Sequence, residues 1–138
     1  MSTLALPTRE TKSVRLSATN IGRGISAFPV LFLAFDTVVK FTGIAPVVDS
    51  MNQLGWPLSA TVGIAVLEAI CLAAYLIPRT SVLGAILLTG YLGGAIATHV
   101  RVGNPLFSHV LFPVYVALLL WGGLYLREAR LRALVPLR

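Results

Sequence analysis

The stretch Pro78–Arg101, PRTSVLGAILLTGYLGGAIATHVR, decides the fold of this chain. From Ser81 to Val100 it holds no Asp, Glu, Lys or Arg, and about twenty such residues suffice for a helix to cross a bilayer. Lipid offers no partner to a bare N–H or C=O, so a crossing segment must satisfy its own backbone, and a helix does. Gly90 and Gly94 form a GxxxG pair, which predicts close approach of a second helix where apolar burial alone drives no association. A Pro-Arg-Thr turn leads in, and His99 and Arg101 lead out. The segment reads as the packing hub of a small membrane bundle with polar chemistry at its exit.

Composition agrees with that reading. The 138 residues are 57% hydrophobic and 12% charged, against about half and a quarter in soluble domains. The length suits one domain. A net charge of +6 raises nucleic acid as a partner, but the basic residues sit at chain ends with no interleaved aromatics, which excludes that class. The single cysteine, Cys71, rules out an intrachain disulfide or a CxxC relay. Residues 1–22 read as a cytoplasmic tail, mobile or surface-lying. Arg9, Glu10, Lys12 and Arg15 lead into polar Ser17–Asn20, a pattern unlike a signal peptide.

Working outward, residues 23–134 predict an all-α integral membrane four-helix bundle, with spans at about 25–43, 58–77, 81–100 and 109–126. Pro29 is expected in or near the first turn of span one, and Pro57 at the first helical position of span two, where a missing donor is cheap. Between them, Val47, Val48, Met51 and Leu54 recur at helical spacing between Pro46 and Gly55. They predict a short amphipathic surface helix with Trp56 as an interfacial anchor. Residues 127–138 read as a basic cytoplasmic tail. Nine of the eleven basic residues fall on the side of the termini and only Lys40 and Arg101 on the other, so both termini are expected in the cytoplasm.

That threading gathers the ionisable residues. Asp36 and Lys40 share a helix face at i, i+4. His99 and Arg101 end span three, His109 opens span four, and Glu68 lies near the middle of span two, about 15 Å from either end. A charge at the bilayer centre costs about 2.5–3.5 kcal/mol on insertion scales, so Asp36 and Glu68 need partners, burial or a proton. Two readings stand. In one, Asp36 pairs with Lys40 or Arg101 and Glu68 is held neutral, and these residues fix helix register. In the other, Asp36, Lys40, Glu68, His99, Arg101 and His109 line an outward-opening pocket for a polar head on an apolar body, such as a quinone. No metal is expected at these positions, and nothing besides the two histidines speaks for haem. Cys71, one turn from Glu68, reads as a small core residue, and Tyr75, Tyr115, Trp121 and Tyr125 as packing or belt aromatics.

LEAICLAAYLIPRTSVLGAILLTGYLGGAIATHVRVGNPLFSHVLFPVYVALLLWGGLYLRE resembles the DoxX-like family of small four-helix membrane proteins. The markers are the Glu68 helix, the YLIPRT turn, TGYLGGAIATHVR, the histidine of FSHVLFPV, and WGGLYLR, with Phe35-Asp36 and Lys40 in span one. The resemblance covers roughly residues 24–134. It implies kinship with membrane subunits of thiosulfate:quinone oxidoreductase and with proteins that associate with redox-defence enzymes. It thereby implies a bacterial inner membrane location and a role for Glu68, His99, Arg101 and His109. No flavin, haem or iron–sulfur motif is present, so a quinone or a partner subunit would carry the redox equivalents. A small-solute carrier, which would need to oligomerise, and a scaffold docking partner helices at Gly90 and Gly94 are the alternatives.

Overall fold

The computed structural model describes residues 9–136, and these build helices with no strand among the described residues. In chain order they are α1 (Arg9–Thr42), α2 (Ala45–Gln53), α3 (Ala60–Leu76), α4 (Ser81–Arg101), a single π-helical turn (Leu106–Val110), α5 (Phe112–Arg127) and α6 (Ala129–Leu134). Ser17–Thr42, Ser81–Arg101 and Leu106–Arg127 are long and apolar enough to cross a membrane, and Ala60–Leu76 is a shorter apolar helix. At 17 residues α3 sits at the lower limit of about 17 for a span. The chain is an all-α membrane bundle.

The helices pack in a ring: α1 against α3 and α5, and α4 against α3 and α5. Leu33, Leu72, Tyr75, Leu88, Val116, Leu120 and Leu124 fill its centre. Leu31, Phe35, Leu118 and Phe107 point outward at 65–73% exposure. On a soluble protein that much bare apolar surface would aggregate; here it is the face offered to lipid.

Since lipid tails are as apolar as leucine, close approach and dispersion hold such a bundle together. The approach is made by glycines other than the expected pair. A Cβ on Gly84 would fall 2.1 Å from the Tyr75 backbone nitrogen, and one on Gly123 would fall 2.2 Å from Ser26 Oγ and 2.6 Å from the Gly22 carbonyl oxygen. Gly84 thus seats α4 on α3, and Gly22 with Gly123 seats α1 on α5. Around Gly90, Gly93 and Gly94 an added Cβ meets nothing within 4 Å. The GxxxG face of α4 is an outer surface of this chain, and the close contact on α4 lies about two turns nearer the Pro78 turn, at Gly84.

Several boundaries differ from expectation for local reasons. α1 starts at Arg9, so the helix runs through most of what read as a tail; residues 1–8, the remainder of that expectation, lie outside the described residues. Pro29 consequently sits inside α1, buried, where it leaves one carbonyl of the preceding turn without its helical donor. α3 begins at Ala60, after Pro57. α2 has Pro in its first turn and buries Val47 and Met51, the expected amphipathic pattern. The C-terminal basic stretch is structured to Leu134. α6 buries Leu131, Arg132 Nη1 donates to the Tyr125 and Leu126 carbonyls at 2.9 and 2.7 Å, and Arg130 Nη2 donates to the Pro78 carbonyl at 2.9 Å. The last carbonyls of α5 lack helical donors, and a following arginine supplies them.

Candidate functional site

The polar centre of the bundle forms where the last two turns of α1 meet the middles of α3 and α4. Lys40 Nζ donates to an Asp36 carboxyl oxygen one turn earlier on α1, to Glu68 Oε2 on α3 at 2.8 Å, and to the Tyr91 hydroxyl on α4 at 2.8 Å. Its three protons are thereby matched to three oxygens. The Lys40–Tyr91 bond crosses the ring diagonally between two helices that are otherwise not packed neighbours. A single lysine ties together three of the four bundle helices.

Burial grades sharply across this group. The Glu68 side chain is fully buried, that of Lys40 is 16% exposed and that of Asp36 is 38% exposed. The cluster therefore runs from a half-exposed carboxylate, through an ammonium, to a carboxyl in the core. Glu68 Oε1 is buried without a hydrogen-bond partner among the described residues, as is Thr37 Oγ1, beside Asp36 on α1. An unpaired buried acceptor costs about 1–3 kcal/mol. The cluster has spare hydrogen-bonding capacity at its deepest point.

Tyr91 was not among the residues singled out from the sequence, yet the hairpin register points to it. Counting equally outward from the Arg79–Thr80 bond pairs Tyr75 with Gly84, a close approach of the two backbones, and further out pairs Glu68 with Tyr91. Glu68 and Tyr91 both fall at the midpoints of their helices, so an antiparallel pair brings them to one level.

The other candidates lie elsewhere. His99 and His109 meet, with ring centroids 5.8 Å apart in a T-shaped arrangement. Asn104 Nδ2 is 2.8 Å from His99 Nδ1, and Ser108 Oγ is 2.7 Å from His109 Nδ1. With the Asn104 amide donating, His99 Nδ1 accepts and its ring proton sits on Nε2. His109 is held by the π-helical turn, not by α5. His99 is eight residues beyond Tyr91, about 12 Å along the helix, and no hydrogen bond among the described residues joins the histidine pair to the Lys40 cluster. Arg101 turns away from both groups: its Nη2 donates to the Leu54 carbonyl at the end of α2. Its guanidinium also lies against Gly55, whose φ of +70° is the left-handed turn that glycine supplies without strain. The six candidate residues thus divide into a buried cluster, a histidine pair and a clasp on α2, in place of one convergent group.

A second buried polar network lies toward the Pro78 end. The Tyr75 hydroxyl donates to the Leu120 carbonyl at 2.7 Å and lies 3.0 Å from Ser26 Oγ, joining α3, α5 and α1 through neutral groups.

Fold and site together define a small, all-α integral membrane protein with an ionic cluster inside its helix ring. The DoxX-like family model matches residues 25–123, most of the chain, and the protein belongs to that family. No curated protein and no solved structure matches it.

Proposed function

We propose that this protein binds a quinone, or an amphiphile of similar build, with its head group at Lys40, Glu68 and Tyr91. It would act there as a membrane subunit of a redox process in a bacterial inner membrane. The observation that carries the reading is Glu68 Oε1, a buried acceptor with no donor, beside an ammonium. A hydroxyl head donates to Glu68 Oε1, and a carbonyl head accepts from Lys40 by taking the place of one of the ammonium's three present acceptors, so one site serves both redox forms of such a molecule. Intramembrane ionisable residues that face a bundle interior commonly mark a ligand or proton path.

Reduction of a quinone to a quinol takes two electrons and two protons. Protons would travel inward from half-exposed Asp36 by way of Lys40 to Glu68, with His99 and His109 exchanging them at the edge. Electrons would come from a partner subunit, since the sequence carries no redox cofactor motif. The excess of basic residues on the side of the termini supports cytoplasmic ends and a cluster opening outward.

Mass spectrometry of organic extracts from protein purified in mild detergent tests the reading. A stoichiometric quinone in the wild type, depleted in Glu68→Gln, is expected; no enriched amphiphile in either sample contradicts it. The bare Gly90–Gly94 face of α4 favours a second reading, a scaffold for another membrane helix. A fixed partner that co-purifies with the wild type and is lost from Gly94→Leu would support that reading.

A further inference from the structure

The end of the bundle opposite the histidines carries Arg23, Arg79, Arg127, Arg130 and Arg132 among the described residues, with Glu128 the acid beside them. Glu128 is taken: Arg130 Nε and Nη2 hold its two carboxylate oxygens at 3.0 and 3.3 Å. Arg132 is spent on the carbonyls that end α5. Arg127 differs. Its guanidinium lies 4.9 Å over the Tyr75 ring, and its Nε and Nη2 are buried with no hydrogen-bond partner among the described residues.

Those two nitrogens form the side-on edge of the guanidinium, whose parallel N–H bonds match two oxygens of one carboxylate or phosphate. A desolvated cation with that edge unbonded is costly, and among the described residues the carboxylate of Glu128 already has its arginine. Tyr75, fixed by its own hydrogen bonds, provides a rigid face on which the guanidinium is held by cation–π attraction. Arg127 is also the last residue of α5, and Leu76 and Ile77, beside Tyr75 in the chain, are each 52% exposed. Exposed apolar surface for an acyl chain thus lies in the residues that follow Tyr75, at the same end of the bundle as the fork for an oxyanion.

We infer that Arg127 binds the phosphate of an anionic phospholipid bidentately at the basic end of the bundle, the lipid opening the Nε–Nη2 edge that is covered in this structure. The site is separate from the Lys40 cluster, and its occupancy does not depend on what that cluster binds. It also goes beyond a general attraction of arginines to a charged leaflet, because one side chain carries it through one geometry.

Native mass spectrometry of the full chain, released from detergent after incubation with phosphatidylglycerol or phosphatidylcholine, tests the assignment. The wild type should retain phosphatidylglycerol in preference to phosphatidylcholine, and Arg127→Gln should lower that retention about tenfold, the worth of one charge-assisted pair. Arg127→Lys keeps the charge but cannot fork, so it should fall between; its result stands even if Arg127→Gln fails to fold. Arg79→Gln removes one exposed charge in the nearby turn and should stay near wild type. Unchanged retention in both Arg127 variants would overturn the inference, as would an equal loss in Arg79→Gln, which would mean diffuse surface charge. Displacement of the lipid by excess inorganic phosphate would also overturn it, and would make this a site for the free anion.

Discussion

Two polar networks cross this bundle, and they are built differently. Around Tyr75 the hydrogen-bonded groups are neutral, the helices are already in contact through Gly84 and Gly123, and the tyrosine hydroxyl has both its partners. Around Lys40 the groups are ionic, they bridge a diagonal of the ring, and Glu68 retains an unbonded oxygen. A network that only fastens helices has no need for charge or for spare valence; neutral hydrogen bonds in a tight crossing do that at lower desolvation cost. The contrast assigns fastening to the Tyr75 region and is what the proposed ligand role of the Lys40 region rests on.

Removing charge from the ionic network should have the largest effect. Lys40→Met leaves two carboxyl groups without their cation, and breaking such a buried pair costs about 3–5 kcal/mol. Thermal unfolding in detergent should show that loss, and adding Asp36→Asn and Glu68→Gln to Lys40→Met should restore most of it. Next comes the fastening region. Gly84→Ala forces a methyl into the α3 backbone, and overpacking of this kind costs about 1–3 kcal/mol, whereas Gly94→Ala on the open face of the same helix should leave the melting temperature unchanged. No larger than that, Tyr75→Phe removes the two hydrogen bonds of its hydroxyl, each worth about 1 kcal/mol, and should not alter ligand content. The smallest effect belongs to Arg101→Gln, which loses the donor to Leu54; faster hydrogen exchange confined to α2 is the expected readout.

Much of this was legible in the sequence, for physical reasons that also explain what was not. Uncharged runs near twenty residues locate α4 and α5 because lipid forbids unpaired backbone. The start of α1 was hidden because residues 9–20 are polar, yet a helix already nucleated by its apolar part extends cheaply. The glycine pattern misled because spacing alone says which residues are small and leaves open which face meets a neighbour; Gly84, without a GxxxG partner, makes the close contact. Asp36, Lys40 and Glu68 do come together, but depth along the spans put Lys40 at the edge with Glu68 well beneath it, whereas the lysine side chain reaches Glu68 directly. Tyr91 escaped because a lone aromatic in an apolar helix resembles packing until hairpin register sets it opposite Glu68. Arg101 was drawn off by the unpaired carbonyls at the end of α2, a local demand that helix-end placement does not reveal.

The most direct test of the division of labour is a binding titration with a short-tailed benzoquinone, followed by intrinsic tryptophan fluorescence. Wild type, Glu68→Gln and Tyr75→Phe would be compared side by side, with helix content checked by circular dichroism. Saturable binding in wild type and Tyr75→Phe, weakened about tenfold or more in a folded Glu68→Gln, is the predicted result. Equal binding in all three, or none in any, would contradict the claim and return the Lys40 cluster to a purely structural role.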